Sequence, residues 1–328
     1  MFFRVAPAFF MMTGVLCQGP AVVSAETVKV SVPSMTHAVL AFTTARDKGY
    51  YRAEGLDVEL ILMSAPIASR ALLGGDVAVS TVGGAGMPPI LRGSPLKFVF
   101  TTYNRAMFWL YAKPEIRDVR SLKGKKVGVS GIGSGPDSLL RDALRQAGLD
   151  ANRDVTILSL GVMPTIFSGL QNGIVDAAML SPPVTLKAEE AGFRELIAFP
   201  KQDLVELQGA ILVREALLQS DPKMLERFVR GTYKGLAYIK EQRAGSIAQI
   251  GRYLQLNESQ SAKAYDQVVK PSLTSDGTLN QEMQAKSVEH VIKRLDMKDG
   301  PSLSKIFDFS ITRKVSAELH AKGWKPGA

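Results

Sequence analysis

The stretch SLKGKKVGVSGIGSGPDSLLRDALRQAGLD, Ser121 to Asp150, decides the fold. It opens on a short basic turn and continues as an apolar strand, KKVGVS. A glycine-rich loop follows, SGIGSG (130–135), and then an amphipathic helix from Pro136 to Ala147. Strand, glycine loop and helix in that order begin a βαβ unit. The loop itself does not read as a nucleotide cradle. A dinucleotide fingerprint needs a third glycine where Pro136 stands, and an acidic residue at the end of the next strand, which here reads LSLG. A P-loop needs a Gly-Lys-Ser/Thr ending, which is missing. What remains is physical: Gly131, Gly133 and Gly135 free the backbone, and the start of the helix presents unpaired N–H groups and a partial positive charge.

Outward from this stretch the pattern continues in both directions. Downstream, DVTILSL (154–160), Pro164 to Asn172 and VDAAML (175–180) read as strand, helix and strand. Upstream, VKVSV (28–32), THAVLAFTTARDKGYY (36–51), DVELIL (57–62), PIASRALLGG (66–75), DVAVSTV (76–82) and LKFVFTTY (96–103) alternate strand with helix. Such alternation predicts α/β architecture with a parallel sheet covered on both faces. Two units match in detail: Pro66, Leu72 and Gly75 correspond to Pro164, Leu170 and Gly173, and the strands that follow end in Ser80 and Ser181. Two similar lobes are the simplest account. After a strand-like GAILV (209–213) the chain is mostly amphipathic helix to about Leu295, then a helical C-terminal segment with an interruption.

The first 25 residues read as a cleaved export signal: Arg4, an apolar run from Val5 to Leu16, and a small-x-small ending at Val23, Ser24 and Ala25. Cys17 is the one cysteine of the 328 residues. A chain cut near Ala25 therefore lacks disulfides, thiolate nucleophiles and cysteine metal sites. The formal charge is +9, but the basic residues are scattered, KGKK at 123–126 being the densest group. No interleaved aromatics accompany them, so a nucleic-acid partner is not expected. Three isolated histidines give no metal-ligand spacing, and no metal or cofactor is expected.

In an open parallel sheet, ligands lie beyond the carboxyl ends of the strands, where helix N-termini converge. That rule selects the loops 33–37, 80–86, 102–107, 130–135, 160–165 and 180–185. The candidate ligand-binding residues are Met35, Thr36, His37, Gly83, Gly84, Asn104, Arg105, Gly133, Ser134, Gly135, Met163, Pro164, Ser181 and Pro182. Thr36 either meets the ligand or caps a helix. Arg105 either pairs with an acid or is solvated, and Ser134 is the expected donor of the glycine loop. Met35, Met107 and Met163 argue for a guest larger than a small inorganic ion. These loops hold one cation, Arg105, and no Asp or Glu, which favours an anionic or neutral guest.

The order GLDVEL, GGDVAVSTVGGAG, SLKGKKVGVSGIGSGPDSLLRDALRQAGLD and GLQNGIVDAAMLSPP resembles the periplasmic solute-binding proteins of ABC importers, in the branch of nitrate, sulfonate and taurine receptors and thiamine-precursor synthase-like proteins. The resemblance implies a type II periplasmic binding fold: two Rossmann-like lobes, a hinge, and a ligand cleft between the lobes. It further implies one lobe from residues 26–113 plus 206–328 and another from 114–205, with the hinge near 112–117 and 202–208. Lobe closure on a small organic anion of carboxylate or sulfonate type and delivery to an inner-membrane permease are the expected function, performed by a periplasmic monomer that catalyses nothing. The alternatives are an enzyme on the same fold, thiamine-pyrimidine-precursor synthase-like, or a partner that presents ligand to a sensor. The absence of cysteine and of a G-x-S-x-G elbow argues against the enzyme.

Overall fold

The computed structural model describes residues 25–33 and 35–327. The expected export signal, up to residue 24, lies outside the described residues. Ten strands carry the fold: β1 (Glu26–Val32), β2 (Leu56–Leu62), β3 (Val79–Ser80), β4 (Leu96–Arg105), β5 (Trp109–Ala112), β6 (Lys126–Val129), β7 (Thr156–Ser159), β8 (Ala177–Leu180), β9 (Arg194–Ala198) and β10 (Val205–Arg214). They form two five-stranded sheets, ordered β2-β1-β3-β10-β4 and β7-β6-β8-β5-β9. The two orders are the same once each sheet's strands are renumbered, with the strand arriving from the other lobe in fourth place. The two lobes expected from the sequence repeat are therefore present.

The sheets are mixed, where the alternation of strand and helix predicted parallel ones. β1 runs parallel to β2 and β3, whereas β10 is antiparallel to β3 and β4. In the second sheet β6 is parallel to β7 and β8, and β5 is antiparallel to β8 and β9. The reversal has a simple cause: a strand entering a lobe from the cleft side must run opposite to strands that end at the cleft. It also moves the lobe boundary. Trp109–Ala112, expected in the first lobe, pairs wholly within the second sheet. The crossings are residues 106–108 and 199–204, not 112–117 and 202–208.

The crossings are tied to each other, Phe199 N donating to Phe108 O at 3.1 Å and Arg105 Nη1 to Pro200 O at 2.9 Å. Each sheet is covered on both faces, and every residue of β8 is buried, as expected for strands sandwiched between helices. The matched units occupy equivalent places. Helices Ala65–Gly74 and Met163–Gln171 bury Leu72 and Leu170, and Gly75 and Gly173 follow them with φ of 92° and 71°, which suits the glycine that ends a helix. The long C-terminal helix Pro222–Glu241 packs on helix Leu40–Asp47, completing the first lobe's core around Phe42, Tyr51 and Phe228.

Candidate ligand-binding site between the lobes

A cavity of about 90 Å³ lies at the facing ends of the two sheets. The first lobe contributes Thr36, His37, Gly83, Gly84 and the strand residues Glu206 and Gln208; the second contributes Ser134, Gly135 and Met163, with Phe108 from the crossing. Among the described residues no Lys or Arg lines it. Helix Gly135–Gln146 starts at its wall, with Ser134 as N-cap. A second, larger space of about 570 Å³ shares Thr36 and Met163 with this cavity and is walled by Met35, Leu62, Val162, Phe167, Pro164 and Lys187. Met35, Leu62 and Val162 are exposed there.

His37 is fully enclosed. Its Nε2 lies 2.8 Å from Gln208 Oε1, Tyr103 Oη donates to its backbone oxygen at 3.1 Å, and the Tyr103 ring meets it edge-on at 5.1 Å. Burial lowers its pKa to about 4, against the opposing pull of Gln208 and the Pro182 carbonyl from the other lobe, so the ring is neutral at physiological pH. Gly83 has φ 56°, and a Cβ there would stand 2.3 Å from the Leu207 carbonyl oxygen, so the loop after β3 closes on β10 only with glycine. Three buried polar atoms of this region have no hydrogen-bond partner among the described residues: Gln208 Nε2, Ser181 Oγ and Glu206 Oε2. Orphaned buried polar atoms are rare and costly in a native protein.

The candidates from sequence divide into groups. Thr36, His37, Gly83, Gly84, Ser134, Gly135 and Met163 come together around the inner cavity, and Met35 and Pro164 line the outer space. Ser181 and Pro182 are buried just behind His37. Asn104 and Arg105 face elsewhere: Asn104 contacts Met283 Sδ on the far side of the first lobe, and Arg105 spends its guanidinium on the crossing. Gly133 is exposed, its N–H given to Asp137 Oδ2 at 2.8 Å. Ser134 does not offer a free hydroxyl, since Oγ donates to Gly131 O at 2.6 Å and accepts from Asp137 N as a helix cap. Met107 is fully buried in the core.

Glu206 and Gln208 escaped the loop rule for a topological reason. β10 runs antiparallel to its neighbours, with Val205 opposite Arg105, so its first residues lie at the carboxyl ends of β3 and β4. The available signal was the alternation in VELQG, two polar residues opening an otherwise apolar strand. Burial raises the Glu206 carboxyl to about 7, partly offset by Arg294 and His290. A carboxyl group therefore stands in a site expected to lack one.

Among the described residues no group of three or more His, Cys, Asp or Glu could hold a metal ion. Residues 36–244, more than half the chain, match the family described as NMT1/THI5 like. The riboflavin-binding protein RibY of Chloroflexus aurantiacus is 28% identical over 205 residues, 60% of this chain and 57% of that protein's length. The chain thus spans less than two thirds of that relative. The fold is shared with the nitrate-binding protein NrtA of Synechocystis (12% identical, 90% of each chain covered, TM-score 0.72). It is shared also with the aliphatic sulphonate binding protein SsuA of Escherichia coli (20% identical, 85% of this chain and 91% of that one, TM-score 0.62). A desulfurization enzyme, DSZB, has the same architecture (14% identical, 90% of this chain and 99% of that one, TM-score 0.64). With its periplasmic-binding-protein fold and the match over residues 36–244, the chain belongs to the NMT1/THI5-like family.

Proposed function

We propose that this chain is the solute-capturing component of an ABC importer: it works in the periplasm as a monomer, closes its two lobes on a small organic solute and hands that solute, chemically unchanged, to a permease in the inner membrane. The observation that carries this reading is the inner cavity, whose walls come from both lobes and include Glu206 and Gln208, each with an unpartnered buried polar atom. A carboxylate or sulfonate on the guest would lie away from Glu206, toward the outer space, whose wall includes Lys187. Closure of two lobes about short crossings is the expected motion. The test is a thermal-shift screen of organic acids, sulfonates, amides and heterocycles on the purified chain, followed by small-angle scattering of any hit. Stabilisation with compaction is expected, and a flat response to every class would sink the reading.

A second reading takes a larger, ring-bearing guest, as the name of RibY suggests for that relative. The outer space of about 570 Å³, which shares Thr36 and Met163 with the inner one and is walled by apolar side chains together with Gln171, Lys187 and Gln255, favours it. Quenching of riboflavin fluorescence on titration with the protein is the check; constant fluorescence would leave only the smaller guest.

A further inference from the structure

We infer that Glu206 and Gln208 together select the guest, and that the end of the solute buried in the inner cavity is an uncharged amide-like edge, an N–H beside a C=O. The inference rests on the receptor reading above and adds to it the chemistry of the innermost contact. Glu206 sits where the lobes meet: a Cβ on Gly84 of one lobe or on Gly135 of the other would come within 3.0 and 3.1 Å of its side chain. One carboxyl oxygen is buried without a partner, and no hydrogen bond or ion pair to either oxygen comes from any described residue. Two residues along the same strand, Gln208 has its Oε1 engaged by His37 and its Nε2 buried without a partner.

Both residues line the cavity, and each carries a buried polar atom without a partner among the described residues, an acceptor on Glu206 and a donor on Gln208. The complement of that pair is a donor next to an acceptor, as in a lactam, an imide or a primary amide. A simple acid fits badly at this end. It would bring a second negative charge to Glu206, with no cation in the wall and the His37 ring neutral. An alkylammonium could meet the Glu206 carboxyl but brings no acceptor for the Gln208 amide. A site built to hydrogen-bond an N–H discriminates strongly against analogues without one, because its own buried groups are then left unpaired.

The experiment is calorimetry at pH 8 with four probes: 2-pyridone and succinimide, which carry the edge, and 2-methoxypyridine and benzoate, which do not. The wild-type protein should bind the first two at least about tenfold more tightly than the last two. Glu206→Leu should abolish that preference, and Glu206→Gln, whose amide oxygen still accepts, should retain part of it. Lowering the pH through about 7, where Glu206 takes up a proton, should let benzoate in. Benzoate or 2-methoxypyridine binding as tightly as 2-pyridone at pH 8, or an unchanged preference in Glu206→Leu, overturns the inference while leaving the receptor reading intact. Binding of none of the four at millimolar concentration also overturns it; the broader thermal-shift screen then decides the receptor reading separately.

Discussion

His290 Nε2 stands 3.2 Å from Asp142 Oδ2, and the two residues belong to different lobes. Helix Gln281–Arg294 of the first lobe thereby touches helix Gly135–Gln146 of the second, beside the Glu206 end of the cavity. Asp142 is held from its own helix by Arg145 at 3.0 Å and is largely buried. On the other flank Lys263 meets Glu189 at 3.2 Å, but both side chains are nearly half exposed. The partly buried contact should matter for closure and the exposed one should not. His290→Ala should enlarge the radius of gyration of the liganded protein and weaken binding by about 1 kcal/mol, whereas Lys263→Ala should change affinity by less than about 0.5 kcal/mol. Equal effects of the two substitutions would remove the distinction.

The two cavity-lining groups with shifted pKa values pull stability in opposite directions with pH. Glu206 is raised from 4.5 to about 7, so the folded state binds the proton more tightly, and its contribution is full below 4.5 and lost as pH rises to about 7. His37 is lowered from 6.5 to about 4, so its contribution is full above 6.5 and lost as pH falls toward 4. Between 4.5 and 6.5 the slopes oppose each other. Glu206→Gln should raise unliganded stability at pH 8 by up to about 3 kcal/mol, do little at pH 4.5, and leave the His37 slope standing alone. Urea midpoints across this range are the measurement, and parallel profiles for both proteins would contradict the assignment.

Gly83 and Gly135 both border the cavity but should respond differently to alanine. At Gly83 the left-handed backbone and the Leu207 carbonyl 2.3 Å from the added carbon both oppose it, and a loss of about 2 kcal/mol or more is expected. At Gly135 the nearest atom is Glu206 Oε1 at 3.1 Å. Gly135→Ala should therefore stay within about 1 kcal/mol of the parent stability while its methyl intrudes on the guest and lowers affinity. Thermal melts with and without a bound ligand separate the two effects.

The matched leucines of the two lobes offer a test of their equivalence. Leu72 and Leu170 are both almost wholly buried under corresponding helices. Each should cost about 2–5 kcal/mol as alanine. A value outside that range for only one of them would mean that the lobes pack differently beneath the same sequence pattern.

Most strands and the two-lobe plan were legible because apolar runs bounded by glycine and proline recur at regular spacing, as in VKVSV and VDAAML. β5 and β9 were not. WLYA is too short to show alternation, and RELIA is half exposed, so neither declares itself before its partners are in place. The sense of β10 was hidden for the same reason, and with it Glu206 and Gln208, because only the assembled sheet brings the start of that strand to the ligand. The loop glycines and His37 were legible from the rule on strand ends. Ser134 is no free donor, because its hydroxyl donates to Gly131 O in the loop and caps the helix at Asp137 N.

The place of β10 in the first sheet bears on the order in which the protein can be assembled during synthesis. β3 and β4 share no direct pairing; their common neighbour is β10, about a hundred residues further along the chain. The second sheet needs only residues 109–198, one unbroken segment. On a chain that emerges N-terminus first, the middle lobe has all its strands before the outer one does. The lobe that contains the first strand is the last to be completed, and until then the edge of β4 stands open to whatever else would pair with it.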